Sequence, residues 1–229
     1  MPCSASPASE RAVGVHRRRI ATGVLFGVVA LLTLGAADAF FTQPAVPDTR
    51  SSESARPLTP ADMPDLPPLA VGDLVFRRGF GTESTLIVRA QGEARSPFSH
   101  VGLVTAVKPV EITHATTSDD PARRDQVIVS TLSDFLAQGS RFGVRRPDWS
   151  DDVKRRTADR ARALVGRHFR LSPDDPSALY CTTLVTRAAA PDVTLRVTPE
   201  PIDVPVIGGR YLMPAALWEA DGMRTIYMH

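Results

Sequence analysis

The stretch SALYCTTLVTRA, residues 177–188, contains Cys181, and the interpretation of the whole chain depends on this cysteine. A helix is predicted from Cys181 onward, because Leu184, Val185 and Ala188 share its face at helical spacing. This apolar face predicts packing on a sheet, with the thiol turned inward in the first turn. A helix N-terminus lowers a thiol pKa, and its N–H groups can hold an oxyanion. A buried, inert cysteine fits the same position, so both roles stay open.

A nucleophilic cysteine needs a base, and the chain has five histidines. His16 precedes an apolar N-terminal segment, His229 ends the chain, and His168 lies in a predicted loop. His100 in PFSHVGLV and His114 in EITHAT lie on two predicted strands that a Lys-Pro pair separates, as in a hairpin. If these strands pair, one imidazole can take the thiol proton while the other fixes its tautomer. Each histidine alone also fits a core position.

The remaining pattern predicts short strands and helices without a regular alternation. The predicted strands are GDLVFRR, 99–107, 110–116, 126–131, RFGVRRP and 223–228. The predicted helices are GTESTLIVRAQ, LSDFLAQ, DWSDDVKRRTADRARALVG with its stop at Gly166, the Cys181 helix and a short helix from Pro214. This mixture predicts an α+β fold around an antiparallel sheet.

The N-terminus has the pattern of an export signal or a signal anchor. Three arginines at 17–19 precede an uninterrupted apolar run over residues 20–37, and residues 37–39 offer a small-x-small cleavage site. The run is close to the length of a spanning helix, so cleavage stays open. The predicted organisation is a cytoplasmic tail (1–16), a signal or anchor (17–39), a proline- and serine-rich linker (40–69) and a folded domain (70–229). We therefore expect the domain in the cell envelope, either periplasmic, secreted or anchored to the inner membrane.

Composition and charge narrow the classes of partner. Hydrophobic residues make up 43% of the chain and its net charge is +2, while the part beyond residue 39 is formally neutral. This balance excludes the concentrated basic surface that nucleic-acid binding requires. Because Cys3 precedes the arginines, Cys181 is the only cysteine beyond the apolar segment and has no partner for an intramolecular disulfide.

Five motifs occur in a characteristic order, namely VGDLVFRR, SPFSHVGLV, VSTLSDFL, GRHF and LYCTTLV. They resemble the circularly permuted NlpC-type cysteine hydrolases, the YiiX/YebB-like group of permuted papain-like amidases, over about residues 70–229. The specific part is SHVGLV followed later by YCTTLV, with the histidine before the cysteine. The resemblance implies a papain-like core, with Cys181 as nucleophile and His100 as base. The third polar residue would be His114, with Glu111 as second choice; strand alternation puts these two on opposite faces.

The chain departs from this family on the expected substrate side. Thr182 and Thr183 stand where a Ser-Glu pair is common, and Phe169 and Arg170 replace a Tyr-Asp pair. The NCEHFV signature of the related lecithin–retinol acyltransferase branch is absent. The substrate therefore stays open. The residues predicted to contact it are Tyr180, Thr182 and His168.

The predicted function is an envelope cysteine hydrolase that cleaves an amide bond, such as that of a cell-wall peptide, through an acyl-enzyme and without metal or cofactor. One alternative is a thiol-dependent lipid acyl hydrolase or acyltransferase on the same fold. Two others are a metal site of His100, His114 and a carboxylate, disfavoured because neither HExxH nor CxxC occurs, and a non-catalytic binding module. The expected partners are an amide- or ester-containing substrate and, if the N-terminal segment is uncleaved, the membrane, but no nucleic acid.

Overall fold

A computed structural model describes residues 56–204 and 207–229 of the chain. The predicted cytoplasmic tail and the signal or anchor, residues 1–39, lie outside the described residues. Within the described residues, no helix combines the length and apolar character needed to cross a membrane.

The described elements are short strands and helices in a mixed order. The strands are β1 (Leu74–Arg78), β2 (His100–Val107), β3 (Val110–Thr116), β4 (Gln126–Thr131), β5 (Arg141–Pro147), β6 (Glu200–Val204), β7 (Ile207–Tyr211) and β8 (Met223–Met228). The helices are α1 (Gly81–Gln91), α2 (Leu132–Ala137), α3 (Asp151–Arg162), α4 (Cys181–Ala189) and α5 (Pro214–Trp218), and a 3-10 turn (Pro60–Asp62) precedes them. All strand pairs are antiparallel, so the predicted α+β class with an antiparallel sheet is confirmed.

The main sheet has six strands in the order β4-β3-β2-β1-β5-β8. The predicted hairpin of β2 and β3 lies between β4 and β1, with Leu103 paired to Thr113. Gly102 allows β2 and β3 to pack tightly, because a Cβ there would lie 2.5 Å from Ile112 Cγ2 and 3.3 Å from His114 Cβ. The two histidine-bearing strands are therefore direct neighbours.

Two hydrophobic cores cover the two faces of this sheet. The α4 side consists of Leu74, Phe76, Val101 and Leu103 against Ala161, Val185, Ala188 and Leu217. The other side consists of Val75, Val104, Ile112, Phe142 and Val144 against Phe135, Leu136, Leu58 and Met63. Since Leu184, Val185 and Ala188 are fully buried, α4 packs through the face that its spacing predicts.

Three boundaries differ from the sequence-based expectations. Leu58 and Met63 are buried in the core, so part of the predicted linker 40–69 packs with the folded unit. α3 ends at Arg162 rather than Gly166, because the chain turns over the last residues before Gly166, which has a positive φ of 82°. The β6–β7 hairpin was not predicted, since Pro201, Gly208 and Gly209 interrupt any alternation there.

Candidate functional site

Cys181 is the first residue of α4, and its half-buried thiol opens into a cavity of about 520 Å³. The backbone N–H groups of Val101 and Thr182 favour the thiolate form of this side chain. The helix begins here because the N–H of Tyr180 donates to Thr183 Oγ1 at 2.8 Å, which caps the first turn. The sequence therefore places the only described cysteine where a strand end and a helix start meet.

His100 lines the same cavity and is the first residue of β2. Its Nε2 lies 3.0 Å from Nδ1 of His114, and Nε2 of His114 lies 2.9 Å from Ser130 Oγ. His114 is completely buried behind His100. Two opposite proton arrangements satisfy this chain, and the one that suits a base has His114 donating from Nε2 to Ser130 and accepting at Nδ1 from His100. It leaves Nδ1 of His100 without a proton, as a base requires.

The thiol and the imidazole share a cavity without touching. No hydrogen bond joins Cys181 to His100 among the described residues. Strand alternation places the His100 side chain on the face of Gly102, whereas Val101, whose N–H meets the sulfur, faces α4. His100 lies at the very end of its strand, where both faces border the cavity. Catalytic hydrogen bonds of this kind often tighten only when substrate binds.

A buried ion pair lies beside the two histidines. Arg77, the register partner of His100, is 4% exposed and donates to Asp119 Oδ2 at 2.5 Å and to the Phe135 carbonyl at 3.0 Å. The same Oδ2 atom lies 3.8 Å from His114 Nδ1. Asp119 thus compensates the charge of Arg77 and contributes negative potential at the histidine pair.

This environment keeps the reactive groups neutral. Burial, followed by the charge of Arg77, lowers the pKa of His100 well below its ordinary value and that of His114 to about 3. Burial raises the pKa of the Cys181 thiol to about 11, outweighing the N–H groups of Val101 and Thr182. The N–H of Thr182 at the helix start does lower this pKa, as expected, but desolvation is the larger effect and the net shift is upward. Burial also raises the pKa of Asp119, but Arg77 and the histidines outweigh it and bring the value to about 2.

Of the residues predicted to contact substrate, only Tyr180 lines the cavity. Its hydroxyl accepts a hydrogen bond from the Leu212 N–H at 2.9 Å. The Thr182 side chain is fully buried, donates to the Leu212 carbonyl at 2.7 Å and is not part of the cavity wall. His168 is exposed, pairs with Gln126 in an isolated bridge and is not part of the cavity wall. The predictions for Thr182 and His168 do not agree with these positions.

The two candidates for the third polar residue are also separated. His114 contacts His100, as described above, whereas Glu111 forms an ion pair with Arg162 of α3. Glu111 and His114 project from opposite faces of β3, as strand alternation predicts. His114 is thus the one in a position to orient His100.

Sequence reasoning did not identify Arg77, Asp119 and Ser130 as part of the site. Arg77 shares a strand face with Val75, and an arginine on a buried face was a usable signal. Asp119 lies in the loop TTSDDPARRD after the His114 strand, where several acidic residues are equivalent by sequence. Only the fold selects Asp119 from this group.

One set of side chains could hold a metal ion. The ligand atoms of His100, His114 and Asp119 all lie within 4.8 Å of one another. Two imidazole nitrogens and a carboxylate oxygen are a donor set that suits zinc or iron. The charge of Arg77, which occupies Oδ2 of Asp119, opposes a further cation there.

Comparison with known proteins relates this chain to solved structures but not to a sequence family. No protein-family model and no curated protein matches this sequence. A crystal structure described as "metalloprotein yiiX from Escherichia coli O157:H7, DUF1105" superposes with a TM-score of 0.58, at 18% identity, over 71% of this chain and 98% of that one. The chain therefore shares the fold of a YiiX protein.

Proposed function

We propose that this chain is a cysteine hydrolase with a permuted papain-like arrangement, which cleaves an amide or ester bond through an acyl-enzyme on Cys181. One observation carries the proposal. Cys181 at the start of α4 and His100 at the start of β2 line one cavity, while His114 and Ser130 occupy the far side of the His100 ring. This is a nucleophile and a base, the base oriented by a third group.

The reaction begins when the Cys181 sulfur attacks the substrate carbonyl carbon and its proton passes to His100. The carbonyl oxygen gains negative charge beside the N–H groups of Val101 and Thr182. His100 then gives the proton to the leaving amine or alcohol as the scissile bond breaks, and the acyl group stays on sulfur. Water, deprotonated by His100, attacks the thioester and releases the carboxylic acid and the thiol.

Proton transfer and attack are coupled in this mechanism. A thiol pKa of about 11 and a strongly lowered imidazole pKa disfavour a resting thiolate–imidazolium pair. The imidazolium formed during attack is stabilised by the negative charge of Asp119. We expect His100 to act as a general base in the transition state, with its remaining N–H held by His114.

The pH dependence of Cys181 alkylation by iodoacetamide tests this proposal. Near pH 7 a thiol with a pKa of about 11 is almost entirely protonated, so reaction depends on the base. We expect His100→Ala to slow alkylation at this pH at least ~10-fold, within the usual range of general-base effects. Near pH 10.5 hydroxide supplies the thiolate, and the two proteins should react at similar rates.

His168→Ala is the matched control, because this histidine is exposed and outside the cavity wall. It should leave the profile unchanged. Equal alkylation of the wild type and His100→Ala at all pH values would contradict the pairing of base and thiol. So would a wild-type profile that levels off near the free-cysteine pKa of about 8.5, with no effect of His100.

A second candidate is a divalent-metal site formed by His100, His114 and Asp119. Two observations favour it, the 4.8 Å cluster of their ligand atoms and the description of the YiiX relative as a metalloprotein. The donors fit zinc in type and spacing, and a bound zinc ion would supply Lewis-acid chemistry there. Both histidines would then be ligands, so this function and the use of His100 as a free base exclude each other.

Calorimetric titration of the full chain with Zn²⁺ separates the two candidates. A metal site predicts one-to-one binding that His114→Gln and Asp119→Asn weaken by about 10-fold or more and that His168→Gln leaves unchanged. Zn²⁺ bound to His100 would also occupy the proposed base, so if His100 is that base, Zn²⁺ should slow alkylation of Cys181 near pH 7 as His100→Ala does. Binding that is insensitive to His114→Gln would remove this candidate.

A further inference from the structure

A second cavity, of about 490 Å³, lies on the face of α4 opposite the one that packs on the sheet. Tyr180, Thr183 and Thr186 line it at a spacing of three residues. The two cavities have only Tyr180 and Leu212 in common, and neither the proposed nucleophile nor the proposed base is part of the second wall. We call this second space the outer cavity. Its volume is sufficient for a small organic ligand.

One wall of the outer cavity is apolar. It consists of Val193, Leu195 and Val197, from the segment that follows α4, together with Leu212 at the end of β7. The first three side chains are only half-buried, so part of their hydrocarbon surface remains in contact with solvent. A concave apolar wall of this kind favours a ligand with a hydrocarbon body.

Two opposite charges line the outer cavity without forming an ion pair, either with each other or with another described residue. Asp174 Oδ2 accepts the backbone N–H of Arg210 at 3.4 Å, and the Asp174 N–H donates to the Arg210 carbonyl at 3.2 Å. The two backbones are thus neighbours, yet the Arg210 guanidinium donates to the Pro199 carbonyl at 2.7 Å instead of to the carboxylate. The next acidic residue, Asp175, is neutralised by Arg170 at 2.7 Å.

The loop that carries Asp174 is packed closely against β7. A Cβ at Gly209, which has a φ of 113°, would lie 2.3 Å from Pro173 Cβ, so only glycine allows this approach. Asp174 itself has a positive φ of 53°, a conformation that aspartate and asparagine adopt more readily than most residues. The carboxylate is therefore held at the cavity before any ligand arrives, which lowers the entropic cost of binding.

We propose that the outer cavity binds a small zwitterion with an aliphatic body, such as a free α-amino acid. Its ammonium group pairs with Asp174, its carboxylate pairs with Arg210, and its side chain packs on Val193, Leu195 and Val197. A ligand of this class satisfies both charges and the apolar wall, whereas a neutral sugar leaves the two charges without counter-ions. The inference goes beyond the proposed hydrolase and does not depend on it, because the reaction at the thiol uses none of these five residues.

Calorimetric titration of the full chain near pH 7 with three matched probes tests this inference. The probes are L-norleucine, pentylamine, which lacks its carboxylate, and hexanoate, which lacks its ammonium group. L-Norleucine should bind at least ~10-fold more tightly than either analogue, because it forms both charge-assisted contacts. Asp174→Asn should weaken L-norleucine and pentylamine by about 10-fold and leave hexanoate unchanged. Arg210→Gln should weaken L-norleucine and hexanoate by about 10-fold and leave pentylamine unchanged.

The unaffected analogue in each variant shows that the outer cavity is still folded, and asparagine tolerates the positive φ at position 174. Asp221→Asn and Arg141→Gln are the matched controls, since both residues are exposed and outside this wall. They should leave all three affinities unchanged. The zwitterion site would be overturned by any of three results: no binding of L-norleucine, equal weakening of all three probes in either variant, or tighter binding of N-acetylglucosamine than of L-norleucine.

Discussion

Replacement of Cys181 by alanine is expected to lower kcat/KM for a cleavable acyl substrate by about 10³-fold or more, because the proposed acyl-enzyme forms on its sulfur. Cys181→Ser should lose nearly as much, since a hydroxyl is a much weaker nucleophile beside a neutral imidazole. The wild type, mixed with a slow-leaving substrate and quenched in acid, should carry one acyl group on Cys181 by intact mass. Neither variant should show this adduct.

Replacement of His100 by alanine should lower kcat/KM between about 10²-fold and 10⁴-fold. The double variant, Cys181→Ala with His100→Ala, should lose no more of kcat/KM than Cys181→Ala alone. This non-additivity distinguishes a nucleophile and base that act together from two independent contributions. Additive losses, or an acyl adduct on a residue other than Cys181, would refute the pair. The thermal midpoints of all these variants need to lie near that of the wild type for the comparison to hold.

Asp119→Ala is expected to destabilise the fold by about 3–5 kcal/mol. It would remove the partner of the buried guanidinium of Arg77 and leave an uncompensated charge beside two neutral histidines. Urea unfolding can measure the loss through the fluorescence of Trp218, whose ring packs against Phe76 and Phe98. The stability of Asp119→Asn should lie between those of the wild type and Asp119→Ala, because asparagine keeps a hydrogen-bond acceptor for Arg77 but not the negative charge.

The double variant Arg77→Met, Asp119→Leu separates two contributions to the free energy of unfolding. One is the penalty for a buried charge without its partner, and the other is the stabilisation by the intact ion pair. Buried ion pairs can often be replaced by apolar residues at little net cost, so this protein should recover most of the lost stability. Because Arg77 lowers the pKa of His100 more than Asp119 raises it, loss of both charges should raise this pKa and make His100 a stronger base. A loss below about 1 kcal/mol for Asp119→Ala would show that solvent screens Arg77 effectively and would contradict this account.

Strand alternation and helix spacing were enough to predict most of the main sheet. β3 and β4 have the bounds that the sequence predicts, because β-branched residues fill both strands and polar turn residues flank them. The hairpin between β2 and β3 follows from its short Lys-Pro connection, and it brings His100 and His114 to neighbouring strands. The proximity of His100 and His114 can therefore be predicted from the local sequence pattern.

The remaining parts of the site depend on tertiary packing. The pairing of Arg77 with Asp119 joins β1 to the loop before β4, and no local spacing encodes it. The direction of the Cys181 pKa shift depends on how much protein surrounds the thiol, which helix position alone does not give.

The two hydrogen bonds to Leu212 have a consequence for how this scaffold can diversify. Tyr180 and Thr182, on either side of Cys181, bind the N–H and the carbonyl of one distant residue, Leu212. These two hydrogen bonds bring the ends of segment 181–212 together next to the nucleophile. The β6–β7 hairpin, which supplies Ile202 to the Cys181 cavity, lies inside this segment. Evolution or engineering can exchange the hairpin to change substrate specificity, while the two hydrogen bonds to Leu212 keep the Cys181 sulfur in place.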